Sequence, residues 1–402
     1  MSARPRRQRT NVEPTRALAV VLPPTLAVYA RSQLRWRANC EVTVLRDGEQ
    51  TYPAMLAAIA AARHTISLET YILASDQTGE KFKTALIERA HAGVAVRVIY
   101  DAVGSFGIAD RFLAELRAAG VELIDFNPIA PWRKRFRLSH RDHRKILVVD
   151  DEVGFTGGLN IGDNYAPLSD GGDGWHDMHC RVTGAIVLDM ARMFRSTWIR
   201  GGGAPFPPIR PAHTAPPGTG NVFTRLLDNT RRRQRGVVRR AYLHVIRAAR
   251  EAILIENAYF IPDRGLRRAL TRSARRGVDV RVIVPGHSDV RMIEWASLYV
   301  LRRLSKYGVK ILRWRGPMIH AKTAVIDGAW ATIGSYNFDA QSRFQNLELT
   351  VEMLDTTTAG TLVRTFEQDA AYCDPYTEED WKRLPIWTKG LCWVAYRLRR
   401  FL

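Results

Sequence analysis

Two short segments of the chain carry the same three reactive residue types at the same spacing. His143, Lys145 and Asp150 lie in "DHRKILVVDD", and His320, Lys322 and Asp327 lie in "MIHAKTAVIDG", 177 positions later. Residues i and i+2 of an extended segment project to one face, so each histidine stands beside its lysine. An imidazole next to an ammonium is electrostatically unfavourable unless an anion sits between them. A phosphate meets that need. Lysine neutralises the non-bridging oxygens, while a neutral histidine attacks phosphorus or moves a proton. A single such motif is weak, and the alternative is a surface strand with incidental polar side chains. Recurrence at equivalent places in two halves of one chain argues for the chemistry.

The elements that must position these residues are themselves repeated. The first half reads "AMLAAIAAARHTISLETYI" and then "ALIERAHAGVAVRVIYD"; the second reads "AYLHVIRAAREAILIENAYFI" and then "ALTRSARRGVDVRVIVP". Each is an apolar-striped helix, a short strand, a second helix and a "GVxVRVI" strand. Gly93 and Gly277 fall where a helix should stop. Alternation of helix and strand predicts βαβ units in a mainly parallel sheet with helices on both faces, an α/β fold of two pseudo-symmetric units. "KILVVDDEVGFTGGLN" and "KTAVIDGAWATIGSYN" have equal length. They predict two short strands around the turns Asp150-Asp151 and Asp327-Gly328, each ending in a glycine-rich loop with Asn160 or Asn337. The first half has about eight extra residues after Asn160, through "SDGGDGWHD", which read as a loop near the site.

These signals divide the chain into a basic and apolar N-terminal segment (1–48), a first unit (49–200), a Pro/Gly-rich linker (201–220), a second unit (221–370) and a basic amphipathic tail (371–402). With 402 residues and 46% hydrophobic content, the chain can bury a large core. A net charge of +20 favours an anionic partner: nucleic acid, an anionic membrane or a phosphate substrate. Cys40, Cys180, Cys373 and Cys392 form no CxxC pair, so scattered reduced thiols are expected rather than a disulfide framework or zinc site. The apolar run 17–30 is short and broken by Pro23-Pro24, so no membrane span is expected there.

The paired HxKxxxxD pattern, each followed by a Gly-Gly/Ser-x-Asn loop, resembles the phospholipase D superfamily. "YFIPD", "RVIVPGHSD", "HAKTAVIDGAWATIGSYNFDAQSRFQNLE" and "FTGGLNIGDNY" before "WHDMHCRVTG" are similar to bacterial cardiolipin synthases, over roughly residues 50–370. The resemblance implies two α-β-α sandwich domains packed around one active site, with both histidines at their interface and neither metal nor nucleotide cofactor. It also implies roles. His143 is the nucleophile that forms a phosphohistidine, and His320 the acid and base. Lys145 and Lys322 clamp phosphoryl oxygens, and Asn160, Ser335 and Asn337 add hydrogen bonds. Asp150 and Asp327 hold the lysines and the turn. Glu348 orients His320. In the first half His179 stands at the equivalent place by register, but Asp177 is the better orienter by chemistry. Glu69, Tyr71 and Tyr259 are placed at strand ends near the cleft; for the tyrosines, ordinary packing is the alternative.

The basic runs "PWRKRFRLSHRDHRK" and "TRRRQRGVVRR" flank the site. They are either solvated faces or anion-binding surfaces, and headgroups and nucleic acid attract them alike. The tail "LPIWTKGLCWVAYRLRRFL" puts Trp387, Leu391, Val394, Ala395 and Leu398 on one helical side with Lys389, Arg397, Arg399 and Arg400 around it. That is the composition of an interfacial helix, the alternative being a helix packed on its own domain. The expected protein is a cardiolipin synthase on the surface of a bacterial inner membrane. It would act on phospholipid substrates, with anionic membrane as partner and no nucleic acid. A phospholipase D-type hydrolase or nuclease is the second reading, and a catalytically dead membrane scaffold the third.

Overall fold

The computed structural model describes residues 24–32, 36–129, 140–208, 220–230 and 236–402. Residues 1–23, parts of both basic runs (131–139 and 231–235) and the Pro/Gly stretch 209–219 lie outside the described residues.

In chain order, α1 (Pro24–Ser32) precedes β1 (Arg37–Arg46), α2 (Asp47–Ala60), β2 (Thr65–Thr70), α3 (Gln77–His91), β3 (Ala95–Asp101), α4 (Asp110–Ala118) and β4 (Glu122–Phe126). A hairpin follows, β5 (Ile146–Val149) and β6 (Val153–Gly157), then β7 (Met178–Thr183) and α5 (Ala185–Arg200). The second half repeats the plan: β8 (Val222–Asp228), α6 (Val237–Ala248), β9 (Ala252–Asn257), α7 (Arg264–Arg275), β10 (Asp279–Pro285), α8 (Arg291–Ser305) and β11 (Lys310–Trp314). Its hairpin is β12 (Lys322–Ile326) and β13 (Trp330–Gly334), followed by α9 (Ala340–Phe344), β14 (Leu349–Leu354) and α10 (Thr356–Ala371). The chain ends with β15 (Cys373–Tyr376), α11 (Glu378–Arg383) and α12 (Ile386–Arg397).

All strands join one continuous ladder, in the order β15-β11-β10-β9-β12-β13-β14-β8-β1-β7-β6-β5-β2-β3-β4. The first half's order β7-β6-β5-β2-β3-β4 is reproduced as β14-β13-β12-β9-β10-β11, and the antiparallel pair β1–β8 joins the halves. The sheet is mixed rather than mainly parallel. Only β2–β3–β4 and β9–β10–β11 run parallel, each step bridged by a helix. The rest is antiparallel because each histidine motif leads into a tight hairpin. Asp150 and Asp151 have φ of 54° and 53°, and Asp327 and Gly328 have 49° and 59°. Positive φ at both turn residues matches the right-handed twist of the flanking strands, which explains Asp-Asp and Asp-Gly at these places. Gly93 and Gly277 close α3 and α7 in the left-handed region, at φ 85° and 90°.

Residues 37–46 of the N-terminal segment belong to the sheet. β1 pairs with both β7 and β8, at the join of the two halves. One core covers the second unit's outer face beneath α1, α6, α7 and α8, and another covers the first unit's beneath α2, α3 and α4. A third lies between the halves, where Met178, Cys180 and Val182 share a cluster with Ile333, Leu349 and Val351 under α5 and α10. Among the described residues, no helix is long and apolar enough to cross a membrane.

Candidate active site

Each histidine lies just ahead of a buried hairpin strand, at the carboxyl end of the first parallel strand of its half. Here Lys322 pairs with Asn257 and Ile146 with Glu69. Open α/β sheets present binding crevices at that end. Backbone ladders then cross from half to half. His143 N–H donates to Leu347 O at 3.0 Å, and Leu347 N–H to Arg141 O at 2.9 Å. In mirror fashion His320 N–H donates to His176 O at 2.6 Å, and His176 N–H to Met318 O at 2.9 Å. The residue after each crossing is an acid. Glu348 Oε2 stands 3.1 Å from His143 Nδ1, and Asp177 Oδ2 stands 2.7 Å from His320 Nδ1.

The expected orienters are therefore exchanged. Glu348 serves His143 rather than His320, and Asp177 serves His320. The sheet register also corrects the alignment of the halves. Gly157 faces His179 and Gly334 faces Thr350, so Asp177, not His179, is the counterpart of Glu348. His179 is buried, its pKa pushed down to about 3 by desolvation, and its Nδ1 has no hydrogen-bond partner among the described residues. The halves differ in how they seat the acid. Ser335 Oγ donates to Glu348 Oε2, and Ser342 Oγ donates to Oε1 at 2.7 Å. At the place of Ser335 the first half has Gly158, where a Cβ would lie 2.1 Å from Asp177 Oδ1. The shorter acid needs the missing side chain.

Both lysines fold back on their own motif: Lys145 Nζ donates to His143 O at 2.7 Å, and Lys322 Nζ to His320 O. Burial and then the charge of Lys322 push Lys145 down to about 7. Burial pushes Lys322 down to about 8, against the pull of Asp177 and Glu348. Burial, followed by the charge of Lys145, lowers His143. Burial and the charges of Lys322 and Lys145 hold His320 well below the usual range. Each motif thus acts on the other's titration, and the two converge on one site. Two buried ammonium groups beside neutral imidazoles form an environment that a phosphodiester anion would relieve.

The other expected residues take particular places. Asp150 accepts from the backbone N–H groups of Arg63, His64 and Thr65, and Asp327 from those of Arg250, Glu251 and Ala252, all at 2.8–3.0 Å. They fasten the helix-to-strand corner to the hairpin turn; their carboxylates do not hold the lysines. Asn160 accepts from Ile72 N–H at 3.2 Å and donates to Tyr165 Oη at 2.6 Å. Asn337 Oδ1 is buried with no hydrogen-bond partner among the described residues. Glu69 is not at the cleft. It is fully buried in β2, 2.8 Å from the guanidinium of Arg144, which also pairs with Asp142. Arg144 alternates with His143 and Lys145 and so faces the other side. Tyr71 packs edge-on to His143 at 5.0 Å between ring centres, and Lys145 Nζ lies 5.3 Å from its ring. Tyr259 lies edge-on to His320 at 6.3 Å and donates to Asp289.

Sequence reasoning missed the aromatic wall of His320. Tyr165 and Trp175 lie 5.5 and 6.0 Å from its ring and touch each other. Trp175 sits in the glycine-rich insertion, whose odd length was the available signal. Also missed was His176, fully buried between Asp47 at 2.6 Å and Asp369 at 3.1 Å. Burial alone would lower its pKa, but the bonds to Asp369 and Asp47 hold it up at about 10. Glu256 lies in the same cluster, raised to about 8 by burial and the charge of Asp369. An imidazolium, a protonated carboxyl and the guanidinium of Arg46, 2.6 Å from Asp369, balance the two aspartates.

Residues 55–198 and 242–370 match the family model described as "Cardiolipin synthase, PLD-like domain". A cardiolipin synthase of Geobacillus thermodenitrificans (strain NG80-2) is 34% identical over 351 residues, covering 86% of this chain and 69% of the relative. The major cardiolipin synthase of Bacillus subtilis (strain 168) is 33% identical over 349 residues, covering 87% and 72%. Among solved structures, phosphatidylserine synthase of Haemophilus influenzae Rd KW20 superposes with a TM-score of 0.73 at 13% identity, over 94% of this chain and all of that one. That likeness establishes the fold. The sequence matches, spanning both halves and both histidine motifs, place the chain in the cardiolipin synthase family of phospholipase D-like proteins.

Proposed function

We propose that this protein transfers a phosphatidyl group from one phosphatidylglycerol to a hydroxyl of another, giving cardiolipin and glycerol, at the surface of an anionic bacterial inner membrane. The observation that carries the reading is the reciprocal pairing of two buried histidines with two buried acids. Each Nδ1 faces a carboxylate from the other half, with two lysines of lowered pKa alongside.

His143 is the nucleophile. With Nδ1–H held on Glu348, its Nε2 carries a lone pair that attacks phosphorus. His320 protonates the departing glycerol oxygen as the P–O bond breaks. Asp177, raised to about 6 by burial, helps the His320 pair retain that proton near neutral pH. A phosphodiester between Lys145 and Lys322 cancels the charges that depress His320. In the second half-reaction His320 takes the proton of the incoming hydroxyl, oxygen attacks phosphorus, and the N–P bond breaks. One phosphodiester replaces another, so the exchange is close to energetically neutral and mass action sets its direction.

The test is thin-layer chromatography of the purified protein with phosphatidylglycerol in mixed micelles, without nucleotide or metal, beside His143→Ala. Cardiolipin and glycerol from wild type alone support the proposal. Phosphatidic acid instead makes the protein a hydrolase. Cleavage of single-stranded DNA without any lipid product makes it a nuclease. Covalent lipid on His143→Ala but not on His320→Ala reverses the two histidine roles.

A further inference from the structure

The helix α12 is apolar on both sides. One side packs on the second unit. Cys392 and Ala395 are buried there, Tyr396 stacks on Tyr299 of α8 at 4.7 Å, and Arg267 donates to Tyr396 Oη at 2.7 Å. At 3.6 residues per turn the opposite side carries Ile386, Trp387, Trp393, Val394, Arg397 and Leu398. These apolar residues are exposed, Ile386 at 83% and Trp387 at 66%, and Phe401 just beyond the helix is at 75%. A helix that faced water would carry polar side chains there.

The charge around this face selects its occupant. Arg397 lies over Trp393 at 5.9 Å, and exposed Arg400 sits beside Phe401. In a chain of net charge +20, aromatic rings interleaved with arginine suit a lipid interface, where rings sit at headgroup depth and cations meet phosphates. A second copy on the same face would bring these arginines against their own images. The face is also tethered to the site. Gln341 of α9 donates to Phe401 O at 3.2 Å, and its neighbour Ser342 holds the Glu348 that faces His143. The same short helix ends in exposed Phe344.

We propose that the outward face of α12, with Phe401, docks this protein on an anionic bilayer. The inference rests on the lipid substrate proposed above, and its test separates the two. The full chain is floated with vesicles containing phosphatidylglycerol, as wild type and as Trp387→Ser/Trp393→Ser/Phe401→Ser. The expected result is an approximately ten-fold fall in the bound fraction for the variant, with its melting temperature and its cardiolipin synthesis in detergent micelles unchanged. Arg397→Glu/Arg400→Glu should weaken flotation on anionic vesicles while leaving the micelle assay intact. Equal flotation of wild type and the serine variant overturns the inference. So does a wild-type dimer in light scattering that the serine variant dissociates. A wild type that makes cardiolipin in micelles but does not float refutes docking and leaves the function standing. Flotation through this face without cardiolipin synthesis does the reverse.

Discussion

The substitution Glu348→Gln tests the exchange of orienting acids most directly. Glu348 is fully buried, and its two oxygens already accept from Ser335 and Ser342. His143 Nδ1 lies 3.1 Å from Oε2. A glutamine keeps the shape but can satisfy at most part of this set. The hydroxyl held by one oxygen competes with the imidazole for the single remaining acceptor. If the amide nitrogen faces the ring, Nδ1 must accept, the ring proton moves to Nε2, and the lone pair proposed to attack phosphorus is gone. The charge-assisted bond contributes about 1.5–3 kcal/mol, and a donor left against a donor costs about 1–3 kcal/mol more. Together these convert to a loss of about 10²- to 10⁴-fold in kcat. The assay is cardiolipin formation from phosphatidylglycerol in detergent micelles, with nitrogen NMR of the labelled histidines reporting the tautomer. Glu348→Ala removes the acceptor without presenting a donor, so it should retain about ten times more activity than the amide. A glutamine variant within a few-fold of wild type, with the His143 tautomer unmoved, would refute the reasoning. A tautomer change at His320 instead would return Glu348 to its own half.

Three further outcomes follow from the buried charges. Lys145 has a folded value near 7 against an ordinary 10.5, so the unfolded chain binds more protons between those values and stability rises with pH across that window. Below about 7 the burden is full; Lys145→Met should therefore abolish turnover yet raise stability at pH 7, on the order of 2 kcal/mol, and a fall in melting temperature would count against it. His176 titrates the other way. Its folded value of about 10 means its contribution is complete below about 6.5 and is lost as pH rises through 10. His176→Gln leaves buried Asp369 with Arg46 as its cation and should cost roughly 3 kcal/mol in denaturant unfolding at pH 7, a deficit that shrinks above pH 10. Asp327→Ala orphans three backbone N–H groups at the helix-to-strand corner and leaves an alanine at φ 49° in the hairpin turn, and roughly 2–4 kcal/mol of stability should go with them. The folded fraction should keep its kcat, and a kcat that collapses without loss of stability would restore a direct role for Asp327.

Much of the site was legible because it is local and periodic. The two motifs, the turns at Asp150-Asp151 and Asp327-Gly328, and the helix stops at Gly93 and Gly277 each lie within a few residues of the signal that marks them. The sheet's mixed direction was hidden, because a strand's hydrophobic run does not record which way its neighbour points. Glu69 was misplaced for a related reason: it precedes Tyr71 by two residues, but its partner Arg144 lies on the side of the sheet away from the histidines. The orienting acids were read within their own halves because spacing along a chain carries no information about the opposite half. Unequal loops before β7 and β14 then shifted the counting by two, and made His179 look equivalent to Glu348.

The reciprocal geometry explains why the acids can be so precisely matched to histidines that are 205 and 143 residues away. Neither acid reaches its histidine from a free loop. His143 and Leu347 are joined by a backbone hydrogen bond, and Glu348 is the next residue; His320 and His176 are joined likewise, and Asp177 is next. The ladder fixes the offset between imidazole and carboxylate to a single residue step, which regular backbone holds more tightly than side-chain packing could. The same crossing makes the halves interdependent. Separating them would take the acid from each histidine, break the β1–β8 pair, and expose the core that Val182 and Val351 share. A chain cut within 209–219 should therefore be active only if its two pieces reassociate, and activity that returns should appear together with the near-ultraviolet signal of that shared core. Activity in either isolated piece would show that a histidine can find its tautomer without the other half, and the reciprocal scheme would fail.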